Sequence, residues 1–551
     1  MQRGFIVVFA VIFLSACAAK EPSPPDVAAN AVSGESILKH IRVLASDEYE
    51  GRAPGSKGEQ LTLKYLEGQF RAAGLEPGNP NGTYLQQVPL VGITADPSMT
   101  LTIAGRGRKL TPKFGTDFVA WTRRVTDTVS IENAELVFAG YGVQAPEFQW
   151  DDFKGIDVKG KVIVVLVNDP PVADEKVFGG EAMTYYGRWT YKYEKAAELG
   201  AAGCIIIHET GPAGYPWAVV FGGWTGERFD LSTPGKNMHR AAVESWVTWE
   251  TADRIFKAAG QNLTELKKVA ATREFKPVPL GLNASLSIKN TLREVASNNV
   301  IAKLTGSDEG LKDEYVAFIA HWDHFGIGPE VDGDTIYNGA LDNASGTAML
   351  LDIAAAFKKL PTPPRRSLLF IAVTAEEQGL LGSQYYAENP LYPLAKTAAV
   401  VNMDALNALG RTKDIVSIGM GSSSIDGVVR EAAAAQGRTV KPDAEPEKGF
   451  FYRSDHFNFA KQGVPAFNPD GGTEFIGKSP EWGMKMREQY TTEDYHKPSD
   501  EVKDYWDMAG AVEDARLCLL VGYRIANADA MPTWNPGSEF KAKRDASLRA
   551  K

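Results

Sequence analysis

Three apolar stretches decide the fold of this chain: YVAFIAHWDH (315–324), SLLFIAVTAEE (367–377) and TAAVVNMD (397–404). Uninterrupted apolar runs of this length are typical of strands buried on both faces of a parallel sheet. Runs with helical periodicity alternate with them, so we predict an α/β core with one strand in each stretch. The predicted helices lie at 347–360, 379–388, 425–436 and 507–526.

The ends of these predicted strands carry acidic and imidazole side chains. His321 follows the first strand, Glu376 and Glu377 follow the second, and Asp404 follows the third. In open α/β sheets, ligands bind outside the carboxyl ends of the strands. We therefore expect these four side chains to converge at one edge of the sheet.

Two further motifs add candidate ligands. GALDNASG (339–346) offers Asp342 in a loop framed by glycines, and DYHKPSDE (494–501) offers His496. The chain has only seven histidines, and His321, His324, His456 and His496 all lie in acidic, loop-like motifs. A histidine placed for packing alone is more often surrounded by apolar neighbours.

Imidazoles and carboxylates together form a ligand set that suits zinc, although manganese or cobalt can substitute in carboxylate-rich sites. The charges favour two ions. Two divalent cations carry four positive charges, and Asp342, Glu377, Asp404 and a bridging hydroxide carry four negative ones. A single ion would leave an excess of buried negative charge.

The motifs HWD, GALDNASG, TAEEQGLLGS, NMD, YRSDH and YHKPSDE occur in the order found in a known family. The chain resembles the co-catalytic two-zinc exopeptidases, which include bacterial leucyl aminopeptidases, plasma glutamate carboxypeptidase and the non-enzymatic transferrin receptor. The resemblance covers residues 36 to about 526. It implies a mostly parallel, mixed sheet flanked by helices, as in phosphorylase/hydrolase-like folds, with an inserted β-rich protease-associated domain.

The resemblance also implies a function and a set of residue roles. We expect a metal-dependent exopeptidase, foremost an aminopeptidase, that hydrolyses peptide bonds at chain termini with a water activated by two zinc ions. The implied zinc ligands are Asp342 as the bridge, Glu377 and His496 on one ion, and His321 and Asp404 on the other. Glu376 is the implied general base.

Further implied roles concern the surroundings of the metals. Asp323 would accept the second imidazole proton of His321, and a cis peptide would join Asp342 to Asn343. Tyr452 would bind the oxyanion, with Tyr495 as a rival. The substrate-edge candidates are Arg453, Asp455 and His456, although structural hydrogen bonding explains the last two equally well.

Three alternatives stay open at this point. In a carboxypeptidase or dipeptidase, Arg453 or Arg487 would bind a terminal carboxylate. In a receptor-like binding protein, the fold would persist without metal and the insert would form the interaction surface. A single-zinc glutaminyl cyclase is disfavoured because His321 and Asp404 complete a second metal site.

The first residues predict export. Arg3 precedes an apolar run at 5–14 that is too short to span a bilayer, which is typical of a secretory signal. Residues 14–17, LSAC, resemble a bacterial lipobox, so the signal would end at Cys17 and that thiol would be lipidated. Ala18 then favours an outer-membrane lipoprotein facing the periplasm or the exterior. Plain secretion is the alternative.

The remaining expectations concern organisation and partners. The predicted parts are a lipoprotein signal at 1–17, a flexible tether at 18–34, peptidase segments at 35–95 and 286–530, an insert at 96–285 that contains the protease-associated domain at about 127–280, and a polar, solvated tail at 531–551. A net charge of −10 argues against a nucleic-acid binder. We expect peptide substrates and a lipid anchor in the membrane. Pairing of Cys204 with Cys518 is left open.

Overall fold

The computed structural model describes residues 23–172, 177–405 and 407–549. The predicted signal and the lipidated Cys17 lie outside these residues. None of the helices that are described is long and apolar enough to cross a membrane.

The helices and the strands are numbered separately, each in chain order. The helices are α1 (Pro24–Ala31), α2 (Gly34–Leu44), α3 (Lys57–Ala72), α4 (Trp189–Glu198), α5 (Thr210–Ala213), α6 (Trp217–Gly223), α7 (Trp249–Ala258), α8 (Leu263–Ala270), α9 (Ser345–Phe357), α10 (Leu381–Glu388), α11 (Ile425–Ala435), α12 (His456–Lys461), α13 (Trp482–Glu493), α14 (Ala509–Asn527) and α15 (Lys541–Arg549). The strands are β1 (Glu76–Pro77), β2 (Leu85–Ala95), β3 (Thr102–Gly105), β4 (Arg108–Leu110), β5 (Phe118–Trp121), β6 (Thr128–Phe138), β7 (Gln144–Ala145), β8 (Trp150–Asp151), β9 (Val162–Leu166), β10 (Gly203–His208), β11 (Glu227–Leu231), β12 (Val243–Thr248), β13 (Val278–Leu304), β14 (Tyr315–His321), β15 (Gly326–Val331), β16 (Asp334–Tyr337), β17 (Ser367–Val373), β18 (Thr397–Asn402), β19 (Asp414–Ile418), β20 (Thr439–Pro442) and β21 (Ala466–Asp470).

The central sheet runs in the order β11, β2, β13, β17, β14, β18, β21, β19, β20. The strands β17, β14, β18 and β21 are parallel to one another, whereas β13, β2 and β11 pair antiparallel at one side. This is the mixed, mostly parallel sheet that the sequence predicts.

Helices cover both faces of this sheet, because side chains in a strand alternate between its two faces. On β14, Phe318 packs in the cluster that contains residues of α9 and α14. Its neighbour Ile319 packs in a separate cluster with Tyr386 of α10 and Phe459 of α12. The apolar run is uninterrupted because both faces of the strand are buried.

The insert forms a second sheet that shares β13 with the first. Residues 278–289 of β13 pair with β6 and β3, and residues 290–304 pair with β2 and β17. The insert sheet then continues through β9, β10, β12 and β5, with β6, β9, β10 and β12 parallel. The predicted boundary at 285/286 falls inside β13, so one strand joins the two sheets. That the β-rich insert is a protease-associated domain stays a prediction.

The two chain ends differ from the prediction. Within the expected tether, residues 24–31 form α1, whose Ala28 is fully buried and whose Ala29 carbonyl accepts a hydrogen bond from Arg516 Nε at 2.9 Å. The expected solvated tail instead buries Trp534 and Phe540 against Phe457 and ends in α15. The predictions of a flexible tether and of a solvated tail are wrong over these residues. A few small or aromatic side chains in these otherwise polar segments pack against the rest of the protein.

The two remaining cysteines are free and buried, Cys204 in the insert and Cys518 in α14. Burial raises the pKa of both thiols. The structure therefore answers the open question about their pairing: they are not bonded to each other.

Candidate metal centre

Three neighbouring parallel strands bring the predicted ligands together. The strand β14 lies between β17 and β18, and Tyr315 is in register with both Ser367 and Thr397. Because the three strands start level and run parallel, their carboxyl ends meet at one edge of the sheet. His321 ends β14, and the acidic residues follow β17 and β18 at that same edge. The predicted convergence is confirmed.

Asp342 lies between two imidazoles. Its Oδ1 is 3.3 Å from His321 Nε2 and its Oδ2 is 3.2 Å from His496 Nε2. The side chain is almost fully buried and precedes a cis peptide to Asn343, as the resemblance implies. A carboxylate that turns one oxygen to each imidazole is arranged to bridge two positions.

Each imidazole also faces a carboxylate of its own. His321 Nε2 is 3.2 Å from Asp404 Oδ1, and His496 Nε2 is 3.4 Å from Glu377 Oε2. The donors thus form two groups that share Asp342, and all of them are nitrogen or carboxylate oxygen atoms. By the distances between ligand atoms alone, two sets that share His321 are also close enough to hold one ion each: His321 with Asp342 and Glu377, and His321 with Glu376 and Asp404. This donor set fits zinc.

Neighbouring side chains hold these carboxylates in place. Ser454 Oγ donates to Asp404 Oδ2 at 2.6 Å, and His324 Nδ1 lies 2.7 Å from Glu377 Oε1. Asp500 accepts hydrogen bonds from the backbone N–H groups of Leu341 and Asp342, both at 3.0 Å. These contacts were not predicted, although Ser454, His324 and Asp500 all stand in or beside the motifs on which the resemblance rests.

The predicted role of Asp323 needs correction. His321 Nδ1 lies 3.2 Å from the backbone carbonyl of Asp323, whereas the nearest carboxylate oxygen is 3.8 Å away. The carboxylate instead accepts from the backbone N–H groups of Glu376 and Glu377, at 3.1 and 3.4 Å. Because its carboxylate accepts these two backbone hydrogen bonds, Asp323 orients the Glu376–Glu377 turn. The imidazole of His321 contacts the backbone carbonyl of Asp323 instead.

The site is strongly acidic: His321 and Asp342 are buried, whereas Glu376, Glu377 and His496 are partly exposed to the cavity. Burial, together with the negative charges of Glu377 and Asp404, raises the pKa of Glu376 well above its usual range. Hydrogen bonds from His321 and His496 outweigh burial at Asp342 and hold its pKa well below the usual value. Carboxylates of different basicity therefore stand side by side.

The two candidate tyrosines lie in different surroundings. Tyr452 donates its hydroxyl to Glu539 Oε1 at 2.6 Å and packs against Phe457 and Phe540. Tyr495 stacks on the ring of His496 with centroids 3.7 Å apart. Burial and the carboxylates of the centre raise the pKa of Tyr495 well above its usual value. Tyr495 is thus the tyrosine beside the ligands, and the predicted role of Tyr452 stays a prediction.

Asp455 and His456 do not form the substrate edge, because both are fully buried. They begin α12, and burial raises the pKa of Asp455 to about 7 and lowers that of His456 to about 3. The sequence could not separate them from Arg453, which is partly exposed and lines the cavity over the centre. The alternative of structural hydrogen bonding stays a prediction, because the side-chain oxygens of Asp455 and the ring nitrogens of His456 are buried without a hydrogen-bond partner among the described residues.

The cavity over the centre lies between the peptidase region and the insert. One wall carries Glu376, Glu377 and His496. The opposite wall comes from the insert, with residues that were not predicted: Arg188, Trp189, Tyr193, Arg228 and Arg240. No local motif identifies these residues, because only the packing of the insert brings them to the site.

Residues 299–519 match the sequence profile of peptidase family M28. Over this segment the chain is similar to that family. The matched M28 segment begins in the second half of β13 and ends in α14, and it contains every metal-ligand candidate described above. The resemblance predicted from the motifs is therefore confirmed over this segment.

Similarity to individual proteins extends beyond the M28 segment. Aminopeptidase NAALADL1 of Mus musculus is 35% identical over 131 residues, which is 23% of this chain and 16% of that protein. "Probable glutamate carboxypeptidase AMP1" of Arabidopsis thaliana is 24% identical over 388 residues, or 68% of this chain and 52% of that protein. The matches thus span about half of these curated relatives or less.

A solved structure, the aminopeptidase from Aneurinibacillus sp. strain AM-1, superposes with a TM-score of 0.51 at 20% identity. The superposition covers 91% of this chain and 95% of that one. At this identity the likeness concerns the fold alone. It confirms the predicted α/β class, a mixed sheet flanked by helices, whereas the protease-associated identity of the insert stays a prediction.

Proposed function

We propose that the chain is a zinc-dependent exopeptidase with two metal ions, and that it acts foremost as an aminopeptidase. The observation that carries the proposal is Asp342, which turns one oxygen to His321 and the other to His496. Each imidazole faces a second carboxylate, so the chain offers two adjacent metal positions that share one ligand.

Asp342, Glu377 and His496 would hold one ion, and Asp342, His321 and Asp404 the other. Manganese or cobalt could replace zinc at such a site. When bound, the ions would polarise the scissile carbonyl and lower the pKa of a shared water.

Glu376 is the proposed proton carrier. The hydrogen bond that its backbone N–H donates to Asp323 fixes the turn on which Glu376 stands, and burial and the neighbouring carboxylates raise its pKa. A carboxylate whose pKa is raised takes a proton from water more readily and can return it to the leaving amine. Glu376 would therefore act as base and then as acid in one turnover.

We propose that Tyr495 binds the developing oxyanion, in preference to Tyr452. The ring of Tyr495 stacks on His496, whereas the Tyr452 hydroxyl is already bonded to Glu539. A hydroxyl donor that is free to turn towards the substrate can strengthen its hydrogen bond in the transition state. The acidic surroundings of the same site suit a substrate with a free α-amine, which favours an aminopeptidase.

A specific observation keeps the carboxypeptidase or dipeptidase as a second candidate. Arg188 Nε and Arg453 Nε and Nη2 are buried without a hydrogen-bond partner among the described residues. Burial and the neighbouring Arg453 lower the pKa of Arg188 to about 10. Arg487, the other predicted clamp, is already paired with Asp470 at 2.8 Å. Two unpaired guanidinium groups on the cavity wall would suit a terminal carboxylate.

The experiment that tests the main proposal is zinc analysis by plasma emission spectrometry, paired with peptide hydrolysis. Near two zinc per chain and cleavage of aminoacyl-nitroanilides would support the two-metal aminopeptidase. The variant Glu376→Gln should keep the metal and lose the activity, whereas the exposed Glu309→Gln should change neither. If the protein takes up no zinc and hydrolyses none of these substrates, the receptor-like binding protein becomes the favoured alternative.

Blocked dipeptides distinguish the two candidates. Cleavage of C-blocked but not N-blocked dipeptides indicates an aminopeptidase, and the reverse pattern indicates a carboxypeptidase. In the second case Arg188→Met should raise KM for substrates with a free carboxylate and leave amide-capped substrates unchanged. An equal effect on both substrate classes would exclude carboxylate binding by Arg188.

We also propose that the enzyme is a lipoprotein of a bacterial outer membrane, anchored through Cys17. The support is the sequence alone: Arg3, the apolar run at 5–14 and the LSAC motif at 14–17. Membrane fractionation of the wild type and of Cys17→Ser tests the proposal. Loss of the membrane-bound fraction in the variant would support anchoring, and unchanged release of both into the medium would favour plain secretion.

A further inference from the structure

A buried arginine lies behind the metal centre and touches both ligand loops. Arg52 belongs to EYEGRAPGS (48–56), the segment between α2 and α3. It has no exposed surface and adopts a φ of 54°, in the left-handed region. A long charged side chain is almost never fully buried unless it is paired. The contacts of Arg52 therefore indicate its role.

All the hydrogen bonds of Arg52 go to backbone carbonyls. Its Nε donates to Trp322 at 2.8 Å, Nη1 donates to Asn338 at 2.6 Å and to Leu44 at 2.7 Å, and Nη2 donates to Gly339 at 2.9 Å. No carboxylate among the described residues lies within hydrogen-bond reach of this guanidinium. Its rigid fork thus connects three separate chain segments through their backbones.

Two of these segments carry metal ligands. Trp322 stands between His321 and Asp323, and Asn338 and Gly339 lead into the turn that contains Asp342. The third segment is the end of α2, which Leu44 closes. One guanidinium therefore ties the backbone beside His321 to the backbone before Asp342, and ties both to the N-terminal helix.

The packing around Arg52 leaves little room for these loops to shift. A Cβ on Gly51 would lie 2.3 Å from the carbonyl oxygen of Tyr337 and 2.8 Å from that of Gly326. A Cβ on Gly339 would lie 2.4 Å from the carbonyl oxygen of Asp342. Close backbone approach at both glycines fits a segment that is wedged against the ligand loops.

The charge of Arg52 also suits its position. Burial lowers its pKa to about 10, and Asp323, Asp500 and Asp342 act in the opposite direction. The guanidinium is therefore protonated at neutral pH and places a positive charge behind an acidic site. It can do so without competing for the ligand oxygens, because its donors are all directed at carbonyls.

We propose that Arg52 is a positioning residue for the metal centre: it sets the separation of His321 and Asp342 and thereby the zinc affinity of the site. This inference rests on the proposed function. Residues behind metal ligands commonly change metal affinity by about 10–100-fold when they are altered. Arg52 acts on the backbone of the ligand loops and touches neither substrate nor metal.

The test compares Arg52→Lys and Arg52→Met with Arg544→Lys. Arg544 is an equally buried arginine that donates to the carbonyls of Leu394 and Thr397, away from the centre. Zinc affinity of each metal-free protein is measured by competition with a chromogenic chelator, and folding by melting temperature and circular dichroism. Lysine keeps the charge but offers one donor atom in place of three, so it isolates the geometry of the fork.

We expect Arg52→Lys to lower zinc affinity about 10–100-fold, and Arg52→Met to lower it at least as much. Arg544→Lys should lose stability without losing zinc affinity. Wild-type zinc affinity in Arg52→Lys, or an equal loss in Arg544→Lys, overturns the positioning role. Failure of the wild type to bind zinc would instead overturn the proposed function, so the two failures are distinguishable.

Discussion

The two walls of the cavity are built in different ways. The metal-bearing wall comes from the ends of β14, β17 and β18, whose register fixes where each side chain emerges. The opposite wall, the insert wall, comes from the start of α4 and from Arg228 and Arg240 of the insert, which reach the site through contacts between distant segments. The geometry of the metal-bearing wall, called the metal wall below, is thus a property of one sheet. The geometry of the insert wall depends on how two units, the insert and the peptidase region, pack against each other.

Polar and aromatic contacts join the insert to the peptidase region. Lys461 of α12 lies 2.8 Å from Glu194 of α4 and 2.9 Å from the hydroxyl of Tyr185. Tyr185 also packs against Tyr452 and Phe457. We therefore expect changes in the metal wall to remove the chemistry, and changes in the insert wall to alter substrate choice and the docking of the insert.

The largest expected effect is on the metal wall. Glu376→Gln should lower kcat by about 10²–10⁴-fold, because a positioned general base contributes that much. Zinc content and KM should stay near the wild-type values, since Glu376 is not among the proposed ligands. Steady-state kinetics with metal analysis checks this. A variant that keeps more than a tenth of wild-type kcat would show that another group carries the proton.

The metal wall could be predicted from the sequence because its signals are local. Each ligand follows an apolar run or stands in a short motif, and the parallel register supplies the convergence without further information. The strand and helix bounds at 315–321, 367–373 and 509–527 agree with the predicted ones to within a few residues. Only contacts that depend on exact side-chain orientation, such as that of Asp323, were misassigned.

The rest could not be predicted, for a physical reason. Arg188 and Arg240 reach the site only because the insert folds back over it, and no periodicity records that. The segment at 531–549 looks polar because its buried side chains, Trp534, Phe540 and Arg544, are isolated in sequence. Burial of single residues by long-range packing leaves no pattern in the chain.

The next effect tests whether the C-terminal segment is part of the fold. Trp534 is buried, packs on Phe540 and donates its indole N–H to the carbonyl of Gly463 at 2.9 Å. Trp534→Ala should lower the free energy of unfolding by about 3–5 kcal/mol. Denaturant unfolding measures it. The matched variant Trp482→Ala, at a half-buried tryptophan, should lower the free energy of unfolding clearly less. Equal losses in the two variants would support the predicted solvated tail at residues 531–549.

A smaller effect is expected at the other end of the chain. Protein that begins at residue 32 lacks α1 and loses the buried Ala28 and the bond from Arg516 to Ala29. Compared with protein that begins at residue 23, its free energy of unfolding should be lower by about 2–3 kcal/mol, from about 0.8 kcal/mol for each buried methyl group of Ala28 and Ala29 and about 0.5–1.5 kcal/mol for the hydrogen bond. Equal stability of the two proteins would restore the flexible tether over these residues.

The smallest effect concerns the contact between the two units. Lys461 and Glu194 are each about one-third exposed, so their ion pair should contribute no more than about 1 kcal/mol. Lys461→Met should therefore leave the free energy of unfolding nearly unchanged, as should Lys257→Met, which removes an ion pair within α7.

The two variants should differ in kinetics. Only Lys461→Met removes a contact that joins the insert wall to the M28 segment, so only it should raise KM, with kcat kept because the metal wall is untouched. A matching fall in kcat would show that the two walls are coupled more tightly than their separate construction implies.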